Sequence, residues 1–282
     1  MDFKALRIAL GMQPCSATYS CAFCFGKAPF LIEAELRTFR SLRKNYGTYQ
    51  ALIREKGEKK AKAEASTCFN VVQESLILGE DHELLLFKCP PGELHLYLGT
   101  GNKLFDSLYK AMIEDIANGQ FHPSVYEWAF KKSIVGLKYR GGALDGPNLG
   151  KLLKNLDSLR AYVPTKFHNF IECMELFDIV KKACFGRTRL DNDYKQKIKD
   201  FETAYRNLGI SVTPKVHCIF FEVPIFIEKH GKPLGFFTEQ VFESMHSDWK
   251  PTWARYKRNE NHPQFEEQLK SAVVNYNSFH VA

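Results

Sequence analysis

The chain has 282 residues, 45% of them hydrophobic and 25% charged, which excludes a disordered or low-complexity class and allows a substantial core. The net charge of +7 leans toward an anionic partner, and no apolar run reaches the roughly 18 residues of a membrane span. The start, "MDFKALRIALGM", carries an acid at position 2 and no signal-peptide core, so the chain is expected to be intracellular, with its eight Cys as thiols or metal ligands.

"DFKALRIALGM" places apolar residues in a helical stripe ended by Gly11. The pair Cys21 and Cys24 follows in "TYSCAFCFG", read as a turn. "EAELRTFRSLRKNYGTYQALIREKG" reads as helix, break, helix. The basic cluster from Arg54 to Glu64 is interrupted by acids and suits a solvated face. "PPGELHLYLGTGNKLFDSLYKAMIEDIANG" predicts a helix weakly broken at Gly99 and Gly101. "SVYEWAFKKSI" predicts a short helix, and "GGALDGPNLGKLLKNLDSLRAYVP" a Gly-rich loop leading into a helix that stops before Pro164.

"KFHNFIECMELFDIVKKACF" carries a wide apolar stripe suited to a packed bundle. "DNDYKQKIKDFETAYRNLG" predicts a helix capped by Asp191 or Asn192 and ended by Gly209. "KVHCIFFEVPIFIEKHG" is a buried strand or a buried helix, broken by Pro224 either way. "FFTEQVFESMHSDW", with Thr238 as its cap, and the segment from Pro263 to Ala282 predict two last helices. The class is mainly α.

Cys21 and Cys24 supply two thiols converging on one point, half of a tetrahedral zinc site. Structural zinc, inert buried thiols and a redox pair all remain open from this spacing. His217, Cys218 and Glu222 are candidate partners far along the chain, although a His in an apolar run is more often a hydrogen-bonded core residue. Asp2 and Glu243 offer oxygens suited to Mg²⁺ or Mn²⁺, with no local mark that separates them from other acids.

Taken together, "DFKALRIALGM…YSCAFC", "ELHLYLGTGNKLFDSL", "DGPNLGKLLKNLDSL", "LGISVTPKVH" and "KVHCIFFEVPIFIEKHGKPLGFFTEQVFESMH" resemble, in collinear order, Transib-type transposases and the catalytic subunit of the V(D)J recombinase. That resemblance implies the C-terminal part of an RNase H-like (α/β) DDE catalytic domain with a large zinc-stapled helical insertion. Its implied segments are an RNase H-like remnant over 1–30, the insertion over 31–210 and a C-terminal block over 211–282.

It implies catalytic carboxylates at Asp2, nineteen residues before Cys21, and at Glu243, with Glu239 as a competitor. It implies a structural Zn²⁺ on Cys21, Cys24 and His217. Glu222 stands where the family has a second His, or Cys218 substitutes. The family's first catalytic Asp has no counterpart, so catalysis is expected to be incomplete in a truncated, degenerate or domesticated protein. DNA is the implied partner. Lys151 and Lys154 on the helix after "DGPN" are candidate phosphate contacts, against a merely solvated helix face, and Trp249 and Trp253 are candidates for stacking on a base, although core aromatics are the more common reading. A homodimer is among the implied assemblies, with no small-molecule cofactor and no membrane. Location is nuclear by resemblance, otherwise cytoplasmic. The competing expectations are a noncatalytic zinc-stabilised helical module that binds DNA or protein, and an unrelated helical enzyme with a fortuitous CxxC.

Overall fold

The computed structural model describes residues 3–29, 31–119, 124–136, 143–237, 251–259 and 262–280. The regular structure among them is helical, as expected. Extended segments meet only at isolated antiparallel bridges, Met12–Val71, Cys24–Leu36 and Thr38–Leu84. The described residues hold no strand that would belong to an RNase H-like sheet. Contacts divide the chain into two compact units, Met1–Phe237 and Thr238–Ala282.

The first unit begins with α1 (Phe3–Ala9), which stops where Gly11 adopts a φ of +70°, a left-handed conformation that glycine adopts without strain. The segment 31–38 is not helical and touches its neighbours through isolated bridges at Leu36 and Thr38. Helix α2 (Phe39–Lys56) then starts on a capping box, Thr38 accepting from the Ser41 N–H and Ser41 from the Thr38 N–H. It runs through Gly47 without a break. Short helices α3 (Glu58–Ala63) and α4 (Leu85–Lys88) follow.

Helix α5 (Glu93–Ala117) is the spine of the unit and continues straight through Gly99 and Gly101. The reason lies in packing. A Cβ on Gly101 would lie 2.5 Å from Leu149 Cδ2, and one on Gly99 would collide with the Lys215 side chain. Both glycines are gaps into which neighbours fit, not helix stops.

Helix α6 (Val125–Lys131) is capped by Ser124. Next come α7 (Gly146–Lys154), capped by Asp145, and α8 (Leu156–Tyr162), with Asn155 between them. The wide stripe of α9 (His168–Cys184) buries Phe170, Ile171, Cys173, Met174, Phe177 and Val180. Antiparallel to it lies α10 (Tyr194–Asn207), preceded by Asp193 with no side-chain cap and followed by Gly209 at φ +66°.

Helix α5 packs on α7, on α9 and on α11 (Pro214–His217). From α11 the chain passes through a π-helical turn, Cys218–Glu222, into α12 (Val223–His230). The ambiguous apolar run is therefore helical. Pro224, which lacks an N–H, sits in the first turn of α12, where the helical ladder restarts after the wide turn. An aromatic row fixes this segment: Tyr97 and Phe177 stack with centroids 6.1 Å apart, Phe177 meets Phe201 at 5.4 Å, and Phe201 meets Phe220 at 5.5 Å.

The second unit contains α13, at 251–256, and α14 (Phe265–His280). Trp253 packs edge-on against Phe265 at 6.1 Å. Thr238, Glu239, Glu243 and Trp249 lie outside the described residues, as does Asp2.

The packing reading predicts a reversal of helix propensity. Replacing a helical Gly by Ala normally stabilises by about 1 kcal/mol. Gly101→Ala is expected instead to destabilise by about 1–3 kcal/mol, because Leu149 must move. Gly150→Ala in α7, whose Cβ would meet only Tyr97 Oη at 3.8 Å, is expected to be neutral or stabilising. Urea denaturation of the two variants checks this.

Candidate metal centre

Cys21 and Cys24 belong to a knuckle held by its own amides. The Phe23 N–H donates to Cys21 Sγ at 3.4 Å and the Gly26 N–H to Cys24 Sγ at 3.3 Å. The segment after it locks the knuckle in place: Phe25 N donates to Glu35 O at 3.0 Å and Arg37 N to Phe23 O at 2.7 Å. A Cβ on Gly26 would crowd the site, lying 3.2 Å from Cys24 Sγ and 3.3 Å from His217 Nε2.

The other half comes from the wide helical turn. In an α-helix, positions five apart advance about 500° and so point about 140° away from each other. The π turn, closed by the Val223 N–H on Cys218 O, adds a residue to the turn and brings His217 and Glu222 onto one face. Cys218, one residue on from His217, points elsewhere and is not part of the group.

The two halves meet. Cys24 Sγ lies 3.1 Å from His217 Nε2, which lies 3.1 Å from Glu222 Oε1, and Cys21 Sγ lies 3.3 Å from the same oxygen. One ligand atom from each of Cys21, Cys24, His217 and Glu222 falls within 4.8 Å of all the others. All four side chains are at most 1% exposed. His217 Nδ1 is 3.0 Å from Leu31 O, the contact that orients an imidazole with Nε2 free to bind.

Without a cation these groups favour holding protons over the deprotonated form a metal needs. Burial, the hydrogen bond with Cys24 and the Glu222 charge push the Cys21 thiol well above its ordinary range. Burial alone would lower His217, but its hydrogen bonds with Cys21 and Glu222 outweigh that and raise it to about 10. Glu222 Oε2 is buried with no hydrogen-bond partner. An orphaned carboxylate oxygen, two thiols and an imidazole aimed at one point are the donor set of a divalent metal, whose charge would reverse the preference for protons. The residues therefore fit a metal ion, and the complete burial of four donors matches a closed site rather than one with a position open to substrate.

No family model matches the chain, and no curated protein matches it.

Of the residues singled out by sequence, Cys21, Cys24, His217 and Glu222 are brought together. Lys151 and Lys154 lie on the exposed face of α7, with Lys151 Nζ donating to Ser133 O at 3.0 Å. Trp253 is half-buried against Phe265. Asp2 and Glu243 are not among the described residues. Sequence reading did not single out Gly26, Leu31, Arg7 or Arg37. Gly26 carries a usable signal, a glycine two residues after the second Cys of the pair, but the others contribute backbone carbonyls or buried charge that no spacing announces.

A proton and a metal compete for this group. With His217 raised to about 10, the metal-free imidazole holds its proton at neutral pH, so metal binding must release it. Affinity for a divalent ion is expected to rise steadily from about pH 6 toward pH 10, and to rise less steeply in His217→Gln. Chelator competition across that range measures it. In the metal-free protein the same shift has the opposite sign for folding. The stability it contributes is fully present below the unfolded value of 6.5 and is lost as pH rises through about 10.

Proposed function

We propose that Cys21, Cys24, His217 and Glu222 hold one structural Zn²⁺, and that the chain is a transposase-derived protein of the DDE type whose partner is DNA. One observation carries the first half: four buried donors within 4.8 Å of one another, drawn from two segments about 190 residues apart. Thiolate and imidazole donors favour zinc over the hard cations. Burial of all four leaves the ion a fastening role.

Support for the DNA half is indirect. The resemblance to Transib-type proteins pairs these same two segments around one ion. The net charge is +7, and Lys151 and Lys154 face outward on α7. In this reading Asp2 and Glu243 supply oxygens to Mg²⁺ or Mn²⁺, which when bound activates a water or 3′-hydroxyl and stabilises the leaving oxygen. A second reading, a noncatalytic zinc-stabilised module, draws on the closed geometry of the site and on the lack of a strand among the described residues.

Metal analysis is expected to find about one zinc per chain, lost in Cys21→Ser and Cys24→Ser together with a marked fall in melting temperature. A DNA mobility shift is expected to fade as salt rises, because phosphate contacts release counterions. Mn²⁺-dependent nicking of supercoiled DNA that Glu243→Gln abolishes would establish a catalytic DDE protein. Zinc binding with neither a shift nor nicking would remove DNA as the partner and leave the staple standing.

A further inference from the structure

Two arginines lie buried beside the knuckle, Arg7 at 1% and Arg37 at 0% exposure. Among the described residues, all their hydrogen bonds go to backbone carbonyls. Arg7 reaches Gln13 O at 2.6 Å, Ser20 O at 2.6 Å and Tyr19 O at 3.2 Å. Arg37 reaches Cys24 O at 2.8 Å and Phe69 O at 3.3 Å, and its guanidinium lies 4.5 Å above the Phe25 ring. Arg37 Nη1 is buried with no partner. Among the described residues neither arginine forms an ion pair with a carboxylate. A buried cation without a counter-charge is strongly disfavoured, and it persists where a nearby anion compensates it.

The two guanidiniums grip the knuckle at its ends, Arg7 just before Cys21 and Arg37 on the carbonyl of Cys24 itself. A divalent ion bound by two thiolates, one carboxylate and a neutral imidazole carries one negative charge in excess. We infer that Arg37, seconded by Arg7, is the counter-charge of this metal centre: a positioning residue that fixes the knuckle by its carbonyls and stabilises the anionic thiolate–carboxylate complex. Burial lowers Arg37 to about 10, which still leaves it cationic at neutral pH. The inference rests on the metal reading.

The alternative is a purely mechanical clamp, and the charge-keeping variant separates the two. Arg37→Lys retains the positive charge but not the planar fork. Zinc affinity by chelator competition is expected to fall about 10–100-fold in Arg37→Gln, as for other groups that orient metal ligands. Arg37→Lys is expected to restore most of the loss, and the thiolate-to-cobalt absorption of the Co²⁺-substituted protein is expected to shift in the Gln variant alone. Arg7→Gln, at the other end of the knuckle, is a second variant with the same expectation of weakened zinc, should Arg37→Gln not fold. Parental affinity in Arg37→Gln, or equal losses in the Lys and Gln variants, would overturn the inference. A parental chain that binds no metal at all would overturn the metal reading and this inference with it, an outcome visible before any variant is made.

Discussion

Cys24 Sγ and His217 Nε2 stand 3.1 Å apart although 193 residues separate them in the chain. Closing a loop of that length costs about 5 kcal/mol of chain entropy. The site exists because α5, α7, α9 and α10 build a core that delivers the knuckle and the wide turn to the same point. Once formed, an ion bound only to the folded state adds its binding free energy to folding. Without the ion the four buried groups are joined by His217–Glu222 and thiol contacts and leave Glu222 Oε2 without a partner.

The local devices that make the meeting possible are few. The amides of Phe23 and Gly26 turn both sulfurs toward one point. The π turn at Cys218–Glu222 rotates Glu222 back under His217. The aromatic row from Tyr97 through Phe177 and Phe201 to Phe220 holds that turn against the bundle. Leu31 O sets the imidazole, and two guanidiniums hold the carbonyls on either side of the knuckle. Each device is short-range, and each depends on the long-range packing for its place.

Much of this was visible in the sequence, though unevenly. The helices with strong stripes, α9 and α10, stand where the periodicity puts them, and Gly11 ends α1 as its position suggests. Gly99 and Gly101 mislead, because their role is to admit Lys215 and Leu149 rather than to stop a helix, and no local rule reveals a neighbour so far along the chain. Pro224 misleads for a related reason: a π turn absorbs its missing donor. The CxxC gave half of the site from spacing alone. His217, Cys218 and Glu222 are candidate partners by residue type alone, but a His in an apolar run reads more readily as a core residue, and spacing gives no reason to prefer Glu222 to Cys218. The i, i+5 spacing becomes intelligible once the turn is known to be wide. Arg7 and Arg37 gave no signal, since burial of a guanidinium is a property of the assembled core.

The most direct measurement of the central claim is X-ray absorption at the zinc edge of the purified chain. The account predicts a four-coordinate ion with two sulfurs at about 2.3 Å and two nitrogen or oxygen donors at about 2.0–2.1 Å, one of them an imidazole. A six-coordinate shell of oxygens, a shell of four sulfurs, or protein that carries no zinc when isolated would contradict it.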